Sequence, residues 1–561
     1  MKINQTESVS GKKEKSEFRF EAWERLIQSP ENMAAALFIL AMAVYYLWRM
    51  LYLTPWYDEL YTYYYFISRG PLYAAIHWPL PNNHVGYSVL SSILNLTGNS
   101  YFGLRGISWL CAVSNLIILY KISQFFFDDW LPLCTIVIYS SLQMVNVLSV
   151  QGRGYTLSTL CFLITMKVLS DLSRIGYKQI SRYVFLILLL VLGLYTVPSS
   201  IYWVLPLCFA TILYLIINGY RIRKVSGGLG KNKYLRQMIR ILTAGVIAAF
   251  VTTLLYLAIW LAVGSNLIMK DQNSSMFGLG HVDIILRAPI SAAHRGLQYM
   301  LASPYIQSVP SKGFLPAFES WIISLNEQLI PGGGVILLLI LIVAISITIS
   351  GCIFHFEESH TCFRLLISCT ALFMPLMLLV QRKLPYYRVF SYYGIIVALS
   401  ISILIQYIMV ILRRLYEYMV RNRADRRDSM IVRKWHVFLP VVFAFAFMLI
   451  QLFNPMFFAQ LGEREDLAYQ ALLMADLSNR TNPCVCDTDQ QYLMKFGWNL
   501  NCDNKQIENS DCVILDRNML KKGYNGEDTW KFYQTYETIP WDYIKTMHII
   551  YENKDFILYV K

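Results

Sequence analysis

The sequence predicts an α-helical protein that crosses a lipid bilayer many times. Of its 561 residues, 56% are hydrophobic and only 15% are charged, and the mean hydropathy is +0.42. A soluble protein would carry roughly a quarter charged residues. Apolar runs of about 20 residues, each long enough for one spanning helix, recur between Met33 and Asn454. The polar N-terminus lacks an apolar core followed by a cleavage site, so we expect residues 1–32 to form a cytoplasmic tail.

The charges in the connecting loops predict how the chain is threaded through the bilayer. The apolar segments lie near residues 33–54, 84–98, 104–121, 131–150, 154–170, 182–196, 200–217, 241–263, 334–354, 362–380, 389–412 and 435–454. Loops 221–240 and 413–434 are rich in Arg and Lys, and such loops are typically cytoplasmic. The net charge of +13 is therefore attributed to topology, and we expect no nucleic-acid partner.

Segment 84–98 differs from the other apolar segments. At about 15 residues it is short for a membrane span. Val85 and Val89 share one helical face, while Ser88 and Ser92 share the other. We expect this segment to lie in the outer interface with its polar face exposed to water. The remaining segments predict about 11 transmembrane helices in the plasma (inner) membrane, with the N-terminus cytoplasmic and the C-terminus extracytoplasmic.

This topology predicts a transmembrane domain over residues 33–455 and an extracytoplasmic domain over 456–561. Within the transmembrane domain, the first external loop covers 55–103 and a long external loop covers 264–333. The last domain is long enough to fold as a small unit of its own.

Local patterns in the last domain predict a small α/β fold. They indicate a helix at 462–479 and short strands around Val485 and at Val513–Leu515. A terminal hairpin is predicted to pair His548–Tyr551 with Phe556–Val560 across the turn at Asn553-Lys554.

Two adjacent acids follow the first apolar segment. Asp58 and Glu59 lie in an aromatic-rich stretch that runs from Trp56 to Phe66. Acids at the start of a helix are favourable in themselves, because they face the positive end of the helix dipole. A carboxylate that faces a water-poor pocket can instead act as a general base. The spacing alone leaves both interpretations open.

A series of short motifs accompanies the acidic pair. In chain order they are Asp58-Glu59, Asn82-Asn83-His84, Gly103-Leu104-Arg105, Gly152-Arg153-Gly154-Tyr155-Thr156-Leu157, Leu194-Tyr195-Thr196-Val197-Pro198 and Arg382-Lys383-Leu384-Pro385-Tyr386. Together they resemble the GT-C superfamily of membrane glycosyltransferases, in particular the branch of protein O-mannosyltransferases and lipid A aminoarabinose transferases. The resemblance covers roughly residues 33–410, although His84 is followed by Val85 and not by the prolines usual in the family.

The resemblance implies a GT-C fold that transfers a sugar, with inversion, from a polyprenyl-phosphate carrier to a glycan, lipid or protein hydroxyl. It implies Asp58 as the general base and Glu59 as a supporting catalytic residue. Cations must neutralise the departing phosphate, and the candidates are Arg153, Arg382, Lys383 and Arg388. Candidate substrate contacts are Tyr57, Asn82, Asn83, His84, Tyr155 and His294.

Two further expectations concern metals and accessibility. The loop at 151–153 contains no carboxylate, whereas metal-dependent relatives carry an acidic pair there, so we expect no divalent metal or other cofactor. Neither Arg153 nor Arg382 needs to be buried against protein, so we expect that either could be replaced without loss of folding.

Three other classes of protein remain possible on the sequence. A lipid-linked sugar transporter or flippase would usually show internal repeats and ionisable residues near mid-membrane. An O-antigen polymerase or ligase acts on similar substrates, but places its functional Arg and His in a large late loop without an acidic pair after the first span. A catalytically inactive scaffold is the third alternative.

Four cysteines of the last domain give the first testable prediction. Cys484, Cys486, Cys502 and Cys512 form an even set in a domain expected outside the cytoplasm, which favours disulfides over free thiols or a metal site. A bridge between Cys484 and Cys486 would be strained, so each should pair with Cys502 or Cys512. Thiol titration of protein isolated under oxidising conditions should find these cysteines oxidised; four free thiols would contradict the prediction.

Overall fold

Helices dominate the fold. The computed structural model describes residues 29–78, 82–174, 179–226, 233–301, 309–354, 358–421, 428–454, 462–480, 483–485, 488–500, 507–522, 536 and 539–561. The α-helices up to residue 270 are α1 (Pro30–Tyr52), α2 (Tyr57–Tyr65), α3 (Pro71–Ile76), α4 (Val85–Leu94), α5 (Ser100–Phe126), α6 (Leu131–Ser140), α7 (Gln143–Leu148), α8 (Tyr155–Leu172), α9 (Ile180–Thr196), α10 (Ile201–Ser226) and α11 (Lys233–Lys270).

The rest of the described chain adds further helices and four strands. The helices are α12 (His281–Arg287), α13 (Pro289–Leu301), α14 (Phe314–Glu327), α15 (Gly334–Phe354), α16 (Glu358–Gln381), α17 (Tyr393–Arg421), α18 (Asp428–Leu452), α19 (Glu463–Met474), α20 (Thr488–Trp498), α21 (Arg517–Lys522) and α22 (Trp541–Ile544). The strands are β1 (Pro483–Val485), β2 (Cys512–Asp516), β3 (His548–Glu552) and β4 (Phe556–Val560).

The expected multi-pass architecture is confirmed. In the described residues, eight helical stretches are long and apolar enough to cross a membrane: Pro30–Tyr52, Ser100–Phe126, Tyr155–Leu172, Pro198–Arg221, Lys233–Lys270, Gly334–Phe354, His360–Gln381 and Tyr393–Leu415. Shorter apolar helices occupy Leu131–Ser140, Ile180–Thr196 and Phe438–Leu452. The figure of about 11 spans and the orientation of the chain stay predictions.

The apolar segment near 131–150 is divided into two helices. α6 ends at Ser140 and α7 begins at Gln143. The first two amides of α7 donate to the chain that follows α14, from Gln143 N to Leu329 O and from Met144 N to Gln328 O, each at 2.9 Å. A helix can be interrupted inside a membrane domain only where such partners satisfy its backbone groups.

The expectation for α4 is wrong in its orientation. This helix has 10 residues and is too short to cross a bilayer, as expected. Its polar face, however, packs inward: Ser88, Ser91 and Ser92 are buried, and Ser88 Oγ donates to Asn83 Oδ1 at 2.8 Å. Ile93 is instead exposed. Hydroxyl groups can be buried in this way when the protein supplies their hydrogen-bond partners.

The C-terminal elements agree with the sequence prediction. The four strands form one sheet in the order β1-β2-β4-β3. β1 runs parallel to β2, while β4 lies antiparallel to both β2 and β3. The helix predicted at 462–479 is α19, followed by a short 3-10 turn at Leu477–Asn479. Cys486 and Cys502 lie outside the described residues, so the disulfide pairing stays a prediction.

The C-terminal region packs directly on the first loop of the membrane domain. Tyr492 of α20 lies among the tyrosine rings of α2, with a ring-centroid distance of 4.9 Å to Tyr64. Phe496 contacts Tyr63 and Tyr101 edge-on, at 5.0 and 4.8 Å. Edge-on aromatic pairs add to the stabilisation that burial provides. One face of α2 is therefore covered by the last part of the chain.

Candidate active site

The candidate site is built around the first turn of α2. α1 ends at Tyr52, and the chain enters α2 through an extended residue at Trp56. Asp58 and Glu59 then occupy the first turn, where the helix dipole favours negative charge. Successive residues on a helix point about 100° apart. The two carboxylates therefore reach different surroundings.

The Glu59 side chain points into the protein, where hydrogen bonds and an ion pair fix both carboxylate oxygens. Its side chain is 2% exposed and forms a two-pronged ion pair with Arg105, with 2.7 Å from Nε to Oε1 and from Nη2 to Oε2. The amide of Gly152 donates to Oε1 at 2.5 Å, and that of Trp56 donates to Oε2 at 3.2 Å. Each oxygen thus accepts two hydrogen bonds. This geometry favours a positioning role for Glu59 over a direct role in proton transfer.

Arg105 connects this pair to the end of α1. Its Nη1 donates to Met50 O at 3.1 Å and to Leu53 O at 2.6 Å. These carbonyls lie at the end of a helix, where a cation is favourable and the last carbonyls need partners. A Cβ at Gly152 would lie 2.5 Å from the Leu104 side chain, so the loop approaches this closely only because the residue is glycine.

The Asp58 side chain points to a part of the site that is more exposed to solvent than the surroundings of Glu59. Its Oδ2 lies 2.9 Å from Arg388 Nη2, and the two side chains are 17% and 27% exposed. Arg388 belongs to the short 3-10 helix Tyr387–Phe390. Burial by itself lowers the pKa of Arg388, but the neighbouring Tyr155, Asp58 and Tyr386 outweigh it and raise the pKa. Arg388 therefore stays charged, and its partner carboxylate can still be reached from solvent.

Arg153 is buried next to Asp58, whereas the sequence indicated no need for its burial. Its side chain is 2% exposed. Nη1 donates to Thr62 Oγ1 at 2.6 Å, and Nη2 donates to Asn82 Oδ1. Nη1 also lies 3.4 Å from the backbone oxygen of Asp58. Among the described residues no carboxylate pairs with this guanidinium, which is unusual because a buried charge is normally neutralised by a partner.

His84 adds a second donor beside Arg153. Its Nδ1 accepts from the amide of Gly154 at 2.8 Å, so the proton of the neutral ring is on Nε2. Burial, followed by the charges of Arg153 and Arg388, holds the pKa of His84 well below its usual range, which keeps the ring neutral. Nε2 lies 3.2 Å from Arg153 Nη2. Two donors at this distance cannot bond to each other, but they can share an acceptor oxygen.

The remaining sequence candidates divide into those near this cluster and those away from it. Tyr155 contacts the His84 ring edge-on at 4.7 Å. Asn83 is structural, because its amide group donates to Ala74 O and His77 O and its oxygen accepts from Ser88. Tyr57 lies next to Tyr61 on the face of α2 that contacts Tyr492, here called the tyrosine face.

Three candidates lie outside the cluster. Arg382 and Lys383 are exposed at the end of α16, in the turn before the 3-10 helix that carries Arg388. His294 is exposed on α13. α13 packs on α11 through Gly296, where a Cβ would come within 2.0 Å of Trp260 O. The structure therefore favours Arg153 and Arg388 over Arg382 and Lys383 as cations beside Asp58.

Several residues of the site were not anticipated from the sequence. Thr62 lies one turn after Asp58, so helical spacing could have identified it. Glu465 could not have been found in this way, since its carboxylate accepts the amide of Tyr57 at 2.9 Å across 408 residues. Asp466 likewise accepts from Thr54 Oγ1 at 2.9 Å. These two acids of α19 fix the entry into α2.

Comparisons with known proteins provide little further information. No family model and no curated protein matches the chain. Among solved structures, the archaeal oligosaccharyltransferase AglB from Archaeoglobus fulgidus, in complex with an inhibitory peptide and a dolichol-phosphate, is 12% identical, with a TM-score of 0.46 over 88% of this chain and 70% of that chain. The apo form of the Archaeoglobus fulgidus oligosaccharyltransferase gives 12% identity and a TM-score of 0.45 over 86% and 70%. These values are too low to carry an assignment.

Replacing Arg105 by Ala should destabilise the protein strongly. The change leaves the carboxylate of Glu59 buried without its ionic partner, which typically costs about 3–5 kcal/mol. Thermal unfolding of the detergent-solubilised protein measures the effect. The control is Arg182→Ala, because Arg182 pairs with Asp171 at 3.0 Å while 37% exposed, and an exposed pair is worth about 0–1 kcal/mol. Equal losses in the two variants would contradict a central role for the Glu59–Arg105 pair.

Proposed function

We propose that the protein is a membrane glycosyltransferase that moves a sugar from a polyprenyl-phosphate carrier to an acceptor hydroxyl. The observation that supports this best is the arrangement around Asp58. Asp58 has a partly exposed carboxylate, and its backbone oxygen lies 3.4 Å from the buried Arg153, which has no carboxylate partner among the described residues. The pairing of a base with an anion-binding group is what transfer from a sugar phosphate requires.

In the proposed reaction, the base and the phosphate-binding groups act in one step. The acceptor hydroxyl gives its proton to the Asp58 carboxylate, and its oxygen forms a bond to the anomeric carbon of the sugar. The bond between that carbon and the phosphate oxygen breaks, and the oxygen keeps the electron pair. The configuration at the anomeric carbon is inverted, because the acceptor oxygen attacks one face of this carbon and the phosphate leaves from the opposite face.

The departing phosphate would be stabilised by the donors next to Asp58. Arg153 Nη2 and His84 Nε2 are 3.2 Å apart and can both donate to one phosphate oxygen. Arg388 adds a second positive charge, 2.9 Å from the Asp58 carboxylate. Charge-assisted hydrogen bonds of this kind gain strength as charge develops on the leaving oxygen. This assignment retains the expectation that cations of the chain, without a divalent metal, neutralise the phosphate.

The sidedness predicted from loop charges supports a lipid-linked donor. Nucleotide sugars are made in the cytoplasm, whereas the charge pattern puts Asp58 on the opposite side of the membrane. A donor that reaches that side must arrive already attached to a lipid. Arg382 and Lys383, exposed near the end of α16, are suited to contact the lipid phosphate as it approaches from the bilayer. The acceptor is a glycan, lipid or protein hydroxyl.

The general-base role predicts a specific defect for Asp58→Asn. The amide keeps the shape and a hydrogen-bonding oxygen for Arg388, but it cannot accept the acceptor proton. Loss of general-base assistance typically lowers the rate by about 10²–10⁴-fold. Turnover of the purified variant should fall on this scale while its thermal stability stays close to that of the native protein. Near-normal turnover would remove Asp58 from the mechanism.

The donor proposal predicts which substrates support transfer. In detergent, where sidedness no longer matters, polyprenyl-phosphate sugars should be used and nucleotide sugars should not. Arg153→Lys should weaken donor use by about 1–3 kcal/mol, since lysine keeps the charge but loses the two-pronged geometry. Lys121→Gln, at an exposed position of α5 outside the proposed site, should leave donor use unchanged and serves as the control. Transfer from a nucleotide sugar would contradict the proposal.

A further inference from the structure

A cavity with mostly apolar walls lies between membrane-spanning helices, away from Asp58. Its volume is about 900 Å³, and its walls come from the last turn of α5, from α15 and from parts of α16 and α17. Apolar side chains form most of the surface, including Phe126, Ile342 and Ile403. All four helices belong to the stretches that are apolar enough to cross a membrane.

This cavity is about one bilayer thickness from the candidate active site. In α5, Arg105 lies at the site, and Phe126 lines the cavity 21 residues later. At about 1.5 Å per residue, that separation corresponds to roughly 30 Å along the helix. In α16, Arg364 lines the cavity near the start of the helix, whereas Arg382 follows its end. The cavity and the Asp58 site therefore face opposite leaflets.

The walls continue into surface that faces the bilayer. Ile342 is 54% exposed, Phe354 is 75% exposed and Tyr407 is 50% exposed, and all three line the cavity. Exposed apolar residues on a membrane-spanning helix contact acyl chains. A molecule that enters from the side would therefore come from the lipid itself.

Arginine side chains lie at the polar end of the cavity. Arg364 lines it and donates from Nη1 to Gly351 O in the last turns of α15 at 3.3 Å. Arg174 lies nearby, with its guanidinium 4.9 Å from the ring centroid of Phe125, another lining residue. His360 and the exposed Asp128 also line this end. Basic pockets between membrane helices on the cytoplasmic side recognise anionic lipid headgroups.

We propose that this cavity binds an anionic glycerophospholipid from the leaflet opposite the Asp58 site. Arg364 contacts the headgroup phosphate, and the acyl chains lie against the apolar walls of α15 and α17. The volume of about 900 Å³ is in the range of sites for drug-sized ligands, so the cavity would hold the headgroup and only part of the acyl chains. The binding does not depend on the glycosyl-transfer proposal.

The test uses the full-length protein, purified and delipidated in detergent. Phosphatidylglycerol and phosphatidylcholine with identical acyl chains are added separately, and native mass spectrometry counts the lipid retained. The native protein should retain phosphatidylglycerol about tenfold better, the scale of one charge-assisted contact. Arg364→Gln should remove this preference, and Arg364→Lys should keep most of it. Lys121→Gln, at an exposed position of α5 outside the cavity, should behave like the native protein.

A second variant tests the location independently of charge. Ser346 lines the cavity, and Ser346→Trp should fill part of it and reduce retention of both lipids. Equal retention of the two lipids by the native protein would overturn the headgroup assignment. An unchanged preference in Arg364→Gln, or full retention by a folded Ser346→Trp, would overturn the site itself. Glycosyl transfer is not part of the measurement, so its outcome leaves this result unaffected.

Discussion

The buried pair of Glu59 and Arg105 organises the candidate site. Removing two charges from water is costly, and an ion pair offsets the cost only when further hydrogen bonds satisfy both groups. Here the carboxylate accepts four hydrogen bonds, and the guanidinium also donates to carbonyls at the end of α1. One interaction thereby joins α1, α2, α5 and the loop at Gly152. The positions of Asp58 and Arg153 both follow from it, since each is adjacent in sequence to a group in this network.

Asp58 and Glu59 are adjacent and carry the same charge, but their side chains lie in different surroundings. Glu59 stabilises the helix start and its surroundings, while Asp58 is partly exposed beside Arg388 and remains the candidate for the general base. The separation is a direct result of helical geometry, because adjacent side chains diverge by about 100°. The difference between them is one of access: Glu59 is enclosed by its hydrogen-bond donors, whereas Asp58 is partly exposed to solvent.

The sequence predicted the helices and strands more fully than it predicted the contacts between them. Hydropathy located the spanning helices, and alternation located the terminal hairpin, because both signals are local. The face of α4 was misjudged, since periodicity reveals that a helix has two faces but not which face the protein covers. The break between α6 and α7 was invisible because its partners, Gln328 and Leu329, lie far along the chain. The same limit explains why Arg105 was noted as part of a motif but not as the partner of Glu59, 46 residues away.

The candidate site was partly predictable for the same reason. Motif order brought Asp58, His84, Arg153 and Arg388 to attention, and the structure places them together. Arg382, Lys383 and His294 share the residue types but not the location, because a motif gives no information on which side chains turn inward. Arg153 was not expected to need burial, yet it is buried, with the neutral oxygens of Thr62 and Asn82 as its partners.

The contact between α19 and α2 has a consequence for the biosynthesis of the protein. Glu465 binds the first amide of α2, and Tyr492 covers the tyrosine face of that helix, yet both residues are translated more than 400 positions after it. A nascent chain could insert every helix through α18 before these partners exist. The first turn of α2, and with it the orientation of Asp58, is completed only once the final segment has folded back. Chains that terminate early would therefore reach the membrane with an incomplete candidate site, so membrane insertion and completion of that site are separate events.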